Sequence, residues 1–270
     1  MEKDYKTALV YAEAGLDYSV YDLAQKEILT SFIADNFLVI ILTVLIAISA
    51  IVFLVIKLKK YDFAIFKSPK VSTFIGSSIH PFTAFSDVKY KKTGSVFAAG
   101  CIMVLLYVVV TLNKIASGFL FTNVSYKNYN TLYTLAQTVG LMLLWSVSNW
   151  LVCSMFSGKG RFSEVFIATS YSMVPFLVFM ILRVVLSHFL PLSGVGFMNG
   201  LQTAVIIYTA FLLFVAISTV HEYDFFKFAS TTIGTVIFML LIVFILFLFT
   251  TLLYQVFGFI GDLYNEIIFR

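Results

Sequence analysis

The chain has 270 residues, of which 60% are hydrophobic and 12% are charged. A soluble domain carries roughly 45–50% apolar and about 25% charged residues, so this composition excludes a soluble monomer and predicts a protein that buries its apolar surface in lipid. The formal net charge is +4. The basic residues flank apolar segments, which favours the membrane surface over nucleic acid as their partner.

The first 36 residues form a polar, acidic tail with three Lys against seven Asp and Glu. Tyr5, Ala8 and Ala12 recur at helical spacing, which predicts a first helix that Gly15 ends. A second helix is predicted for about residues 18–32. So short a tail forms little core of its own. We therefore expect a helical hairpin or a single amphipathic stalk that packs on the membrane, on the bundle or on a partner.

Six apolar segments long enough to cross a bilayer as helices follow the tail. The first, Phe37–Ile56, has 20 uncharged residues, which would extend about 30 Å, the thickness of the hydrocarbon core. An acidic stretch precedes it, so a retained membrane helix is expected rather than a signal peptide. The other predicted spans are Val96–Leu112, Leu135–Phe156, Val165–Leu186, Leu201–Val220 and Ile233–Val256. The predicted fold class is an all-α polytopic transmembrane bundle of about six helices.

The distribution of Lys and Arg predicts the orientation of the bundle. Eleven of the 18 lie in the segments after spans one, three and five, and six lie in the termini and the remaining loops. Cytoplasmic loops carry the excess of positive charge, so both termini are expected outside and the loop Lys57–Lys92 inside. The eight lysines of that loop are expected to bind the anionic inner leaflet, at about 1 kcal/mol per charge near the surface.

The sequence carries no complete catalytic, cofactor or metal motif. The polar cluster His221–Asp224 lacks the second His of a helical zinc motif. Gly158–Arg161 lacks the spacing and the Ser or Thr of a phosphate-binding loop, so a tight turn between two membrane helices is expected there. Asp262 has no second aspartate inside a span, which excludes an intramembrane aspartyl protease. A protein without enzymatic activity, cofactor or metal is predicted.

Polar residues inside the spans are candidates for contacts between helices. Asn149 in span three is expected to hydrogen-bond across helices, which is worth about 1 kcal/mol. Arg183 is the one full charge inside a predicted span. Its position near the outer end of span four favours snorkelling to the headgroups over a role in transport. Cys101 and Cys153 fall inside spans and are expected to be free, packed thiols.

Three segments between the spans carry a family resemblance. His80-Pro81-Phe82-Thr83-Ala84-Phe85, with Gly94 downstream, resembles the Pro-Phe-x-x-Phe motif before the first helix of the Yip1 domain family. Gly158-Lys159-Gly160, with the later Tyr-x-x-x-Pro, resembles the family's glycine turn and third helix, and the turn at His221 resembles the one before its last helix. The motif positions, whose role is unknown, are Pro81, Phe82, Phe85, Gly94, Gly158, Gly160, Tyr171, Pro175 and His221.

The resemblance covers about residues 78–270, and the end of the chain is similar to members from Gram-positive bacteria. It implies a five-helix domain at 95–270, preceded by a basic loop at 58–94, an added helix at 37–57 and the tail. The family is associated with membrane organisation. Its eukaryotic members recruit small GTPases, but their Asp-Leu-Tyr-Gly-Pro motif is missing here, so that role is not implied.

The expected function is therefore that of a scaffold or accessory subunit of a membrane protein complex, a transport system being one such complex. The expected partners are other integral membrane proteins, and the expected location is a bacterial plasma membrane. The alternative is a transporter or channel in its own right. The resemblance supplies no cofactor.

Overall fold

A computed structural model describes residues 4–36, 69–121 and 129–268, and in these ranges it contains helices and no strand. The predicted first span, Phe37–Ile56, lies outside the described residues. Five helical segments are long and apolar enough to cross a membrane, and they correspond to the other five predicted spans. The prediction of an all-α polytopic bundle is confirmed.

The tail forms two helices, α1 (Tyr5–Ala14) and α2 (residues 18–36). Asp4 caps α1 by accepting a hydrogen bond from the backbone N–H of Thr7. Asp17 caps α2 in the same way, through the backbone N–H groups of Ser19 and Val20. Side-chain oxygens at these positions satisfy N–H groups that have no partner within the helix. The two predicted tail helices are therefore present, and the second is longer than predicted.

The remaining helices follow in chain order. Two short helices, α3 (Pro69–Ile79) and α4 (Pro81–Ser86), and a π-helical turn, Asp87–Lys91, precede the spans. The spans are α5 (Val96–Ile115), α6 (Thr131–Met155), the pair α7 (Phe162–Ser172) and α8 (Val174–Ser187), α9 (Val195–His221) and α10 (Phe225–Ile268).

The structure corrects the predicted spans in two respects. The last helix is the largest difference, since Phe225–Ile268 extends far beyond the predicted Ile233–Val256 at both ends. The predicted single span Val165–Leu186 consists of two helices, because α7 ends at Ser172 and Pro175 lies in the first turn of α8. Proline is tolerated in a first turn, where its missing N–H would have no partner within the helix.

The membrane helices pack around α7. Its inward side chains pack with those of α5 and α9, and the cluster includes Ala99, Leu106, Val165, Ala168, Tyr171, Val215 and Val220. Buried hydroxyls on α7 bond back to their own helix, as Ser170 does to the carbonyl of Phe166 and Ser172 to that of Ala168. Cys153 is buried and Cys101 is exposed, so the expectation that both thiols are packed was wrong for Cys101.

The helices α3 and α4 form a hairpin that enters the bundle from one end. Thr73 on α3 hydrogen-bonds to Thr93 at that end, over 2.7 Å. At the tip of the hairpin, the backbone carbonyl of Ser78 accepts a hydrogen bond of 2.6 Å from the hydroxyl of Tyr208. Tyr208 lies 13 residues before the end of α9, which is about 20 Å along the helix. The hairpin therefore reaches across roughly two-thirds of the thickness of a bilayer core, which is about 30 Å.

Candidate functional site

Several of the motif positions, including the two glycines and His221, meet at one end of the bundle, which we call the basic end. This end contains Lys89, Lys159, Glu164 and Glu222. The opposite end, with Gln25, Phe119 and His188, is called the tail end. Segments that are far apart in sequence meet at the basic end. The backbone N–H of Ser95 donates to the hydroxyl of Tyr171 over 3.3 Å. The N–H of Gly160 donates to Nδ1 of His221 over 3.4 Å.

The glycine turn is shaped by the buried His221, of which 1% is exposed. A Cβ on Gly158 would lie 2.6 Å from Nδ1 of His221, and one on Gly160 would lie 2.7 Å from Val220. Real Cβ atoms do not approach so closely. The glycines at 158 and 160 are thus required by the close approach of α9, and they couple the turn before α7 to the end of α9.

The hydrogen bond from Gly160 makes Nδ1 of His221 an acceptor, which places the proton of the neutral ring on Nε2. Nε2 is buried and has no hydrogen-bond partner among the described residues. The ring stacks on Tyr223, with ring centroids 5.4 Å apart. The hydroxyl of Tyr223 in turn donates to the carbonyl of Cys153 at the end of α6 over 2.9 Å. His221 and Tyr223 thus connect the glycine turn, the end of α9 and the end of α6.

A buried ion pair lies beside the glycine turn. The ammonium of Lys89 is 3.3 Å from Oε2 of Glu164 and donates to the carbonyl of Lys159 over 2.6 Å. Lys92 binds the other carboxylate oxygen of Glu164. Glu164 also accepts from the backbone N–H of Arg161 and so caps α7. Lys89 is directed inward, so the prediction that the loop binds the anionic leaflet concerns its other lysines and stays a prediction.

A second polar network covers the first on its exposed side. Lys159 lies 2.6 Å from Oε2 of Glu222, and the hydroxyl of Tyr90 donates to Oε1 over 2.9 Å. The hydrogen bond from Lys159 is the main cause that lowers the pKa of Glu222, and the same bond raises the pKa of Lys159. The hydrogen bond with Glu222 raises the pKa of Tyr90.

The other motif positions serve the hairpin and the helix break. Pro81 is the first residue of α4, and Phe85 is fully buried between the hairpin and the bundle. Phe82 is 64% exposed and lies near the tip, 6.4 Å from the ring of Phe211 on α9. Gly94 lies against Ile167 of α7. Pro175 begins α8 well away from the glycine turn, so the structure does not bring it to the basic end with the others.

The two polar residues inside the spans each contact another helix. Asn149 is fully buried, and its Nδ2 donates to Oγ1 of Thr235 on α10 over 3.3 Å. Arg183 donates to Oδ1 of Asn113 on α5 over 3.3 Å. Asn113 lies in the last turn of α5, near the tail end, where a positive charge is favoured by the helix dipole.

Chemically, the basic end joins helices and holds no recognisable reaction centre in the described part of the chain. No group of three or more His, Cys, Asp or Glu there could hold a metal ion. The sequence interpretation selected His221 and the glycines but missed Lys89 and Glu164. One signal was present for Glu164, because a Glu three residues after the start of a helix occupies the position of a capping box. No local sequence pattern indicates that Lys89, unlike the other described lysines of the basic loop, is buried.

Fold and site together define a polytopic α-helical integral membrane protein whose loop motifs meet at one end. The model of the Yip1 domain matches residues 75–248. The chain belongs to the Yip1 domain family, as its loop motifs indicated. No curated protein and no solved structure matches the chain. The match ends inside α10, so the last 20 residues of that helix, 249–268, lie beyond the matched region.

Proposed function

We propose that this protein is a non-enzymatic scaffold or accessory subunit of a membrane protein complex, such as a transport system, in a bacterial plasma membrane. One observation carries the proposal, namely the exposure of α10. The helix has 44 residues, or about 66 Å at 1.5 Å per residue, against about 30 Å for a hydrocarbon core. Every residue from 243 to 264 is exposed in the described structure.

The exposed part of α10 is mainly apolar, with Gln255 and Asp262 among its few polar residues. It includes Phe247, Leu252, Phe257 and Phe259, each more than half exposed. Lipid can cover such a surface only over the thickness of the bilayer. A straight helix twice that length presents apolar surface beyond it, and large exposed apolar patches mark sites of protein interaction. The occupant we propose is an apolar helix of another integral membrane protein, packed along residues 249–264.

The arrangement of charge supports the orientation that the positive-inside rule predicts. Lys89, Lys92 and Lys159 lie at the basic end, and the acidic tail contacts the opposite end through Asp22 and Gln25. In the proposed topology the basic end faces the cytoplasm, and both termini lie outside. The segment 249–264 then meets its partner at the outer leaflet or just beyond it.

Site-specific photocrosslinking in cells tests the proposal. A photoreactive residue at Phe257 is expected to give one discrete adduct with another membrane protein. The control is Val178 on α8, which is 58% exposed but belongs to the family domain, and it is expected to give no such adduct. Truncation after Phe249 should abolish co-purification of the same partner while the melting temperature in detergent is kept. An adduct equally strong from both positions, or none from Phe257, would overturn the proposal.

A transporter or channel in its own right is the second candidate, and the hairpin of α3 and α4 favours it. Interrupted helices at membrane depth occur where they are buried in protein or line a water-filled cavity. The tip of this hairpin carries an exposed His80. Close by, Oγ of Ser78 and Oγ1 of Thr209 are buried without a hydrogen-bond partner in the described residues.

Reconstitution of the pure chain into liposomes separates the two candidates. A transporter would show selective flux that His80→Leu or Arg183→Leu abolishes, with His188→Leu as the matched control at the tail end. A subunit of a complex would show no selective flux by itself. Flux that all three variants retain would exclude both residues from any pathway.

A further inference from the structure

Two partly open cavities lie where the tail helices α1 and α2 meet the tail end of the bundle. One has a volume of about 410 Å³ and the other a volume of about 300 Å³. Both fall in the range of small-molecule sites. Tyr21, Gln25 and His188 line both cavities, so the two share a wall. A ligand that occupies both would contact the tail and the bundle at the same time.

The walls of these cavities are held together by direct contacts between α2 and the bundle. The ring of Tyr18 stacks on Phe119, with centroids 4.6 Å apart. The backbone N–H of Leu192 donates to Asp22 over 2.5 Å. Nε2 of Gln25 donates to the backbone carbonyl of His188 over 2.9 Å. The site is therefore built by the fold and depends on the tail that precedes the family domain.

The larger cavity is surrounded by hydrogen-bond acceptors. Glu13 lines it, and so does Ser187, the last residue of α8. The carbonyl end of a helix carries partial negative charge and favours a cation. Oε1 of Gln25 is buried without a hydrogen-bond partner in the described residues, which is unfavourable until a donor binds. Neither cavity is lined by a described Lys or Arg.

The smaller cavity is apolar. Besides the shared wall, its lining consists of aliphatic and aromatic side chains, namely Leu9, Ile28, Leu29, Phe32 and Phe189. Such a lining favours an alkyl chain, because each buried methylene group is removed from water. The pair of cavities thus combines a compartment for a hydrogen-bond donor with a compartment for hydrocarbon.

We propose that these two cavities bind an amphiphile with a primary ammonium head and an alkyl chain. The ammonium lies in the larger cavity, where it donates to Gln25 and is attracted by Glu13 and the carbonyl end of α8. The chain lies in the smaller cavity, against Phe32 and Phe189. The same chemistry is offered by a free long-chain amine and by a membrane lipid with an amino headgroup.

Titration of the full chain in phosphatidylglycerol nanodiscs, followed by native mass spectrometry, tests the proposal. One dodecylamine is expected to bind per chain, and dodecanoate, with a chain of similar length and the opposite charge, is expected not to bind. Nanodiscs that contain phosphatidylethanolamine distinguish the sources. A bound phosphatidylethanolamine that competes with dodecylamine identifies the membrane lipid, and an unchanged dodecylamine titration identifies the free amine. Equal binding of dodecanoate and dodecylamine would overturn the proposal.

Two acidic residues of the tail provide a matched pair of variants. Glu13→Gln removes a charge that lines the larger cavity, and Glu27→Gln removes an equal charge from the exposed surface of α2. Glu13→Gln is expected to weaken dodecylamine binding two- to fivefold, and Glu27→Gln is expected to leave it unchanged. Equal effects would show that the amine is attracted only by the overall charge of the tail, and the site would then be rejected. Hydrogen exchange of α2 confirms that both variants keep the tail docked.

Discussion

Two parts of the bundle cross the membrane in different surroundings. The pair α7 and α8 is largely covered by protein, and the helix α10 is not. The pair carries buried hydroxyls and a buried carboxylate, and 61% of its most apolar stretch is buried in protein. The helix α10 is the more apolar of the two, yet none of its most apolar stretch is buried. In a soluble protein the more apolar helix would be the interior one.

The difference shows which force places a helix in this bundle. Lipid is as apolar as a protein core, so apolar side chains gain nothing by leaving it, and polar side chains gain hydrogen bonds by facing other helices. A central position in the bundle is therefore favoured for α7, which carries the polar side chains of Glu164, Ser170 and Tyr171. Only the first third of α10 has such groups facing the bundle, at Thr231 and Thr235, which are fully buried. Beyond them the helix is left to lipid or to a partner.

The largest expected effect comes from removing the buried carboxylate of the central pair. Glu164→Ala is expected to lower the free energy of unfolding by about 3–5 kcal/mol, because Lys89 would stay buried without its counter-charge. Denaturant unfolding in mild detergent measures the loss. Lys91→Ala is the control, since Lys91 pairs with Asp87 at an exposed position and is worth under about 1 kcal/mol. Equal losses would contradict the interior role of Glu164.

Two aromatic residues of α4, one buried and one exposed, allow interior and outward-facing positions of the hairpin to be compared. Phe85→Ala leaves a cavity at a fully buried site and is expected to cost about 3 kcal/mol or more. Phe82→Ala removes a ring that is 64% exposed and is expected to cost under about 1 kcal/mol. The same unfolding measurement compares them. A reversed order would mean that the hairpin is inserted differently.

Substitution of two glycines compares the close packing of the glycine turn before α7 with the open surroundings of α10. Gly158→Ala places a Cβ 2.6 Å from His221 and is expected to destabilise the protein by about 1–3 kcal/mol. Gly258→Ala on α10 meets nothing within 4 Å among the described residues and is expected to stabilise the helix by up to about 1 kcal/mol. Thermal unfolding in detergent shows whether each substitution raises or lowers the melting temperature. Loss of stability from Gly258→Ala in the isolated chain would show a contact on α10 within the chain itself.

The attachment of α10 to α6 predicts a smaller effect. Asn149 and Thr235 share a hydrogen bond of 3.3 Å inside the bundle. A double-mutant cycle with Asn149→Leu and Thr235→Val is expected to give a coupling energy of about 0.6 kcal/mol, the average for such bonds in membranes. A coupling near zero would mean that packing alone holds α10 to the bundle.

The smallest effect concerns the exposed pair of Lys159 and Glu222 and depends on pH. The lowered pKa of Glu222 means that its contribution is present above the ordinary pKa of a glutamate and is lost as pH falls through the folded value. The raised pKa of Lys159 means that its contribution is lost only as pH rises through a value above the ordinary pKa of a lysine.

The difference in melting temperature between the native chain and Glu222→Gln should therefore be largest between about pH 5 and pH 9. It should shrink as pH falls below the ordinary pKa of a glutamate, because the lowered pKa of Glu222 is then approached from above. A difference that does not vary with pH would show that the two side chains do not act as an ion pair.

Much of the fold followed from the order of residues in the chain. Apolar length fixes where a chain can cross a bilayer, so five predicted spans correspond to observed helices. The bounds were predicted less well, because helices continue into polar turns, as α9 continues to His221. The break before Pro175 has a local cause, yet hydropathy treats both sides of it as one apolar segment.

The sequence by itself determined that the protein is a membrane protein. It also predicted six spans and contained the motifs that mark the family. Those properties depend on composition and on local order along the chain. Only the tertiary structure decided which residues meet. It brought Gly158 against His221, turned Lys89 inward to Glu164 and left α10 exposed. The physical reason is that partners for buried polar groups come from distant segments, and no local pattern records which segment will supply them.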